Sequence, residues 1–174
     1  MAMPMQARAY AFMGNARDHH QRDGIRSRPG LHLVFPGDPE SVRRALSRAR
    51  VAFRAMSIPE EHSGIAEIVL AEVLNNIVEH AYQDHGRGVI ELGVESLPGW
   101  LAFTIRDDGL PMPGGKPPDG SPPDLSVPFG ALPEGGFGWL MIHELTQGLS
   151  YRRIGNRNEL RFRLDIAESA ELPG

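Results

Sequence analysis

The sequence predicts an α/β (α+β) two-layer sandwich, with a mixed sheet carrying helices on one face, on three observations. In the stretches Leu31–Phe35, Ile90–Val94, Leu101–Ile105 and Leu160–Ile166 every second residue is a large apolar one, the period of a half-buried strand. Two longer stretches between the first and second of these repeat apolar residues at helical spacing. A further helical stretch, Trp139–Leu145, precedes the last strands.

Taken in order, Leu31, Leu33 and Phe35 form a strand closed by Pro36-Gly37, after which Asp38 or Ser41 can cap a helix. Val42, Ala45, Leu46, Ala49, Phe53 and Met56 share one face of that helix. Arg43, Arg50 and Arg54 line the other, as a solvated face or a docking surface for an acidic partner. Ser57-Ile58-Pro59 ends it, and Pro59 with Glu60 and Glu61 opens a second helix running to about Tyr82, since proline and acidic side chains suit a first turn. On this helix Leu70, Leu74, Ile77 and Ala81 form an apolar stripe. Glu72 and Asn76, one turn apart, point the opposite way together with Ile65 and Val69, like the wall of a partly dry pocket with a polar end.

Ile90, Leu92 and Val94 mark the next strand, and the turn Leu97-Pro98-Gly99 pairs it as a hairpin with Leu101, Phe103 and Ile105. That strand ends in Asp107-Asp108-Gly109, where glycine lets a backbone come close to whatever the carboxylate holds. From Leu110 to Gly135 lie eight of the fifteen prolines, repeated glycines and the single cation Lys116. Such a loop reads as a lid or as disorder. It ends in Gly135-Gly136-Phe137-Gly138 at the start of a helix, where exposed backbone N–H groups suit phosphate. Leu149–Ile154 and Leu160–Ile166 close the chain as strands.

The 174 residues suit one domain, expected over 30–168, with a flexible N-terminal arm over 1–29 and a C-terminal tail over 169–174. A formal charge of -4 argues against direct nucleic-acid binding. Without cysteine there is no disulfide, thiolate nucleophile or cysteine metal site. No apolar run approaches the ~18–20 residues of a membrane span, and the N-terminus lacks a compact apolar leader, so a cytoplasmic protein without membrane partners is expected. Asp18-His19-His20 superficially resembles a metal-dependent phosphoesterase triplet, but no other ligand cluster accompanies it.

Glu72-x-x-x-Asn76, Asp107-x-Gly109 and Gly136-x-Gly138, in this order on these elements, resemble the N box and the two glycine boxes of the GHKL superfamily of ATPases and kinases. The resemblance spans about Leu31 to Ile166. Within the superfamily the chain most resembles the anti-sigma-factor serine kinases, in the run from Glu72 to Tyr82, in Phe137-Gly138-Trp139-Leu140-Met141-Ile142 and in Asn158-Glu159-Leu160-Arg161-Phe162. The resemblance implies ATP and Mg²⁺ as cofactors, with a sigma factor and an anti-sigma-factor antagonist as partners. A homodimer is among the assemblies it allows.

By the same resemblance, Asp107 accepts a hydrogen bond from the adenine amino group and Gly109 gives the base room. Asn76 offers its carbonyl oxygen to Mg²⁺, and Glu72 takes the proton from an attacking serine hydroxyl. Gly136, Gly138 and Lys116 meet the phosphates. His80 lies further along the same helix, either near the phosphates or merely structural, and His143 belongs on a helix surface. Between Gly109 and Tyr151 there is no arginine, which implies slow catalysis or a need for a partner that orders the loop. The alternatives are the detached ATP-binding domain of a histidine kinase and a nucleotide-gated binding module without kinase activity.

Overall fold

The computed structural model describes residues 30–83, 88–120 and 137–167. The expected arm over 1–29, with Asp18-His19-His20, and the tail over 169–174 lie outside the described residues, as do 121–136.

The first strand, β1 (Gly30–Pro36), leads into helix α1 (Pro39–Ala55), which Asp38 caps by accepting from Ser41 N at 2.8 Å, with Pro39 in the first turn. The predicted apolar face of α1 is the buried one: Val42, Ala45, Ala49 and Phe53 are in the core. Two of the three arginines on its outer face turn to the next helix, Arg50 to Glu67 at 2.6 Å and Arg54 to Glu60 at 3.7 Å.

Helix α2 (Glu60–Asn76) has Pro59 before it and two glutamates in its first turn. It runs straight into a π-helical turn, Ile77–Ala81, closed by Tyr82 N donating to Ile77 O at 3.0 Å. Ala66, Val69, Leu70, Val73 and Leu74 are all buried. Val69 therefore belongs to the core and not to a face opposite it. The buried arc is wide enough that Glu72 and Asn76, both half-buried, stand on its shoulder.

Two hairpins supply the rest of the sheet: β2 (Val89–Leu97) with β3 (Trp100–Asp107), and β4 (Gln147–Ile154) with β5 (Arg157–Asp165). Between them lies α3 (Phe137–Leu145). The strand order is β1-β2-β3-β5-β4, and each pairing is antiparallel, where a mixed sheet was expected. The connections explain the difference. Two successive helices between β1 and β2 bring the chain back reversed. The crossover through α3 places β4 one position away from β3, and the hairpin return then inserts β5 between them.

Inward-facing Ile90, Leu92, Val94, Leu101, Phe103, Ile105, Leu160, Phe162 and Leu164 meet the helices in one core. Phe103 stacks on Phe162 at 4.8 Å and receives the edge of Phe53 at 6.4 Å. The other sheet face carries charge. Opposite one another in register, Glu91, Arg106, Glu159 and Arg152 alternate in sign across four strands. Arg106 reaches Glu91 at 3.1 Å and Glu159 at 2.7 Å, and Arg152 reaches Glu159 at 2.6 Å.

Candidate functional site

The site is built along the C-terminal part of α2 and the π-helical turn that continues it, and a different element meets each of these two parts. At the near end α3 closes in: a Cβ on Gly138 would lie 2.5 Å from Glu72 Oε2 and 3.9 Å from Asn76 Nδ2. Asn76 Nδ2 donates to the backbone carbonyl of Glu72 at 2.8 Å. With the amide nitrogen spent on the helix, Oδ1 is the end left for a ligand.

At the far end, β3 is sewn to the π-helical turn. Leu110 N donates to Ala81 O at 2.9 Å, and a Cβ on Gly109 would lie 2.7 Å from both Ala81 Cβ and Ala81 O. No side chain larger than hydrogen fits there. The rise of a helix puts Ala81 roughly 13 Å along the axis from Glu72.

Asp107 closes β3 and is 5% exposed. Its Oδ1 accepts from Gly109 N at 2.9 Å and from Asn158 Nδ2 at 2.7 Å. Burial pushes its pKa up; the donations from Asn158 and Gly109 and the nearby Arg153 guanidinium oppose that, while Asp108 adds to it. Among the described residues both partners take the same oxygen, so Oδ2 remains to accept from a ligand.

Lys116 is exposed and paired with Asp119 at 2.9 Å, so the structure does not bring it to Glu72 and Asn76. Gly136 lies outside the described residues. His80 is exposed, and His143, exposed on α3, meets Pro118 O at 2.7 Å. No three His, Cys, Asp or Glu side chains cluster to cage a metal among the described residues. Asn76 Oδ1 is nevertheless a hard oxygen suited to Mg²⁺ that also takes phosphate oxygens and water.

Sequence reasoning missed a supporting set. Asn158 is 4% exposed and makes Asp107 its cross-strand neighbour. Its signal was parity: it shares the inward phase of Leu160, Phe162 and Leu164 yet is polar. Tyr151 donates to Asn158 Oδ1 at 2.7 Å and accepts from Met112 N at 3.1 Å, while Arg153 holds Gly109 O at 3.0 Å. The first residues of the proline-rich stretch are thus tied to the β4–β5 hairpin. Tyr82, from just past the π-helical turn, meets Asp108 Oδ1 at 2.7 Å.

A two-layer fold in which a glutamate and an asparagine late in the second helix lie under a glycine, with the glycine that follows a buried aspartate packed against the next turn of that helix, has the arrangement of the GHKL class of ATPase domain. The chain belongs to the histidine kinase-like ATPase domain family, whose model matches residues 35–164. It is 31% identical over 71 residues to blue-light-activated histidine kinase 2 of Erythrobacter litoralis, a match covering 40% of this chain and 20% of that protein. In fold it resembles the crystal structure of the RsbU and RsbW domains of Rv1364c from Mycobacterium tuberculosis. The TM-score is 0.55 at 13% identity, over 84% of this chain and 35% of that one. The chain therefore spans a fifth and about a third of the lengths of these relatives. No described helix is long and apolar enough to cross a membrane.

Proposed function

We propose that this domain is a regulatory serine/threonine protein kinase of the anti-sigma-factor type, which binds a sigma factor or related partner and phosphorylates a small antagonist on serine. The observation that carries the reading is the juxtaposition of Glu72 and Asn76 beneath Gly138, with Gly109, two residues past Asp107, against Ala81 further along the same helix wall. Asp107 accepts from the adenine amino group, and Gly109 lets the base lie against the strand end. Asn76 Oδ1 would hold Mg²⁺, which would neutralise phosphate charge. Glu72 accepts the serine hydroxyl proton as that oxygen bonds to the γ-phosphorus and the β–γ bridging oxygen leaves with ADP. Lys116, the only cation between Gly109 and Tyr151, would have to leave Asp119 to reach a phosphate, which fits slow transfer until a partner orders the loop.

The identity with a histidine kinase favours a second reading, a detached ATP-binding domain that serves a phosphoacceptor histidine. Chemistry separates the two. Transfer from labelled Mg-ATP to a candidate antagonist should give an acid-stable phosphoserine, and Glu72→Gln should bind nucleotide while transferring ~10²–10⁴-fold more slowly. Asn76→Ala should weaken nucleotide binding mainly when Mg²⁺ is present. An acid-labile product would overturn the serine reading. Partner binding that responds to ATP with no transfer at all would leave a nucleotide-gated module.

A further inference from the structure

We infer that the groove between α1 and α2 docks the acceptor protein through a segment in which an aliphatic side chain lies beside carboxylates, and so delivers the serine to Glu72. The inference rests on the kinase reading above and adds the chemistry of the substrate to it.

Two ion pairs fix how the helices lie. Arg50 meets Glu67 at 2.6 Å and Arg54 meets Glu60 at 3.7 Å, so positions rise along α1 as they fall along α2 and the pair is antiparallel. Arg43, seven positions before Arg50, therefore stands level with Leu74 on α2, between Glu72 and Asn76. Outside this pair lies an open groove of about 390 Å³. Its apolar lining is Leu46, Ile68 and Ala71, with Arg50 and Glu67 toward one end and Arg43 toward the other. Ile68 is 49% exposed, a large apolar side chain that the fold leaves half in water. It also stands one turn before Glu72, and residues four apart on a helix are neighbours on its surface. The groove thus opens beside the proposed proton acceptor, ~6 Å away along the helix axis, the reach of about two extended residues.

Charge selects what enters. Helix α1 carries Arg43, Arg44, Arg48, Arg50 and Arg54 against one carboxylate, Glu40, in a chain whose formal charge is -4. Glu40 pairs with Arg44, and Glu67 is already engaged by Arg50 through two bonds, at 2.6 and 2.8 Å. Arg43 is left over: among the described residues its one hydrogen bond is to Pro39 O at 3.4 Å, and no carboxylate meets it. An unpaired guanidinium at the edge of an apolar groove suits a carboxylate next to an aliphatic residue. The chain's own residues 1–29 do not fit, because they hold five arginines and two aspartates. A serine seated at Glu72 would have its aliphatic anchor about two positions away, on Leu46 and Ile68, and a neighbouring carboxylate on Arg43.

The test follows, by anisotropy, a fluorescent peptide with a central serine, a leucine two positions to either side of it and glutamates elsewhere. Wild type should bind it about ten-fold more tightly than a peptide with lysines for the glutamates, and the preference should shrink as salt rises. Arg43→Glu and Ile68→Asn should each weaken binding by about five-fold or more, the weight of one rim charge or one half-buried aliphatic contact. Both side chains are exposed, so neither variant disturbs the core, and calorimetry with Mg-ATP checks that each is folded. In transfer from labelled Mg-ATP both should raise KM for the peptide more than they lower kcat, because the groove binds and takes no part in the chemistry. Wild type that binds the glutamate and lysine peptides alike, or binds neither, overturns the inference. So do variants that bind the peptide as wild type does. Peptide binding in the expected pattern with no transfer to serine, by a protein that binds Mg-ATP, overturns the kinase reading and with it the acceptor role of the groove.

Discussion

Gly138, in the first turn of α3, abuts the carboxylate of Glu72, so that a single methyl group there would lie 2.5 Å from Oε2. The contact is between two helices 66 positions apart in the chain, and it joins the last glycine motif to the proposed proton acceptor.

Gly138→Ala separates function from stability. Alanine in a helix ordinarily stabilises by about 0.5–1 kcal/mol relative to glycine, and the atom it meets is the end of a flexible side chain. Thermal stability should therefore stay within about 1 kcal/mol of wild type, while serine transfer falls by about ten-fold or more because Glu72 is displaced. Transfer at the wild-type rate in a folded Gly138→Ala protein would show that Glu72 does not work from this position.

Tyr82 braces the end of β3. It is 6% exposed, and its hydroxyl lies 2.7 Å from Asp108 Oδ1 and 3.0 Å from Val89 O, while Asp108 Oδ1 also accepts from Val89 N at 3.1 Å. Burial pushes its pKa well above the usual tyrosine value, and the bond to Asp108 adds to the rise. Tyr82→Phe should cost about 1–2 kcal/mol in denaturant unfolding with no change in m-value. Gly88→Ala should cost more, because φ is +139° there and a Cβ would lie 2.1 Å from the Tyr82 ring. Equal stability of wild type and Tyr82→Phe would reduce the brace to packing.

Glu159 sets part of the acid limit of the fold. Burial of its side chain would raise its pKa, but Arg152, Arg106 and Arg161 outweigh that and hold it at about 2 against an ordinary value of 4.5. A carboxyl lowered in this way stabilises the fold above pH 4.5, and the contribution is lost as pH falls from 4.5 toward 2. Because its partners are partly exposed, the contribution should be about 1–2 kcal/mol, less than the full shift implies. Glu159→Gln should therefore be less stable than wild type at pH 7, with the gap narrowing in unfolding curves taken near pH 3. A gap that is constant with pH would assign the loss to something other than the charge.

The sequence by itself determined which residues face inward on the strands and on α1, since periods of two and of about 3.6 are set by backbone geometry. Ile90, Leu92 and Val94, or Val42, Ala45, Ala49 and Phe53, could be assigned without knowing what they pack against. It also carried the order of the site motifs, since Glu72, Asn76, Asp107, Gly109 and Gly138 each sit at a local signal such as a helix turn, a strand end or a glycine before a helix. Tertiary structure alone decided what meets what. Strand alternation does not say which strand lies beside which, so the insertion of β5 between β3 and β4, and the antiparallel sheet that follows, were not legible. Asn158 reaches Asp107 only because of that insertion, across 51 positions of sequence. Val69 was misplaced for the same reason: how wide an arc of α2 is buried depends on the sheet beneath it and the α3 helix beside it, and not on the helix itself.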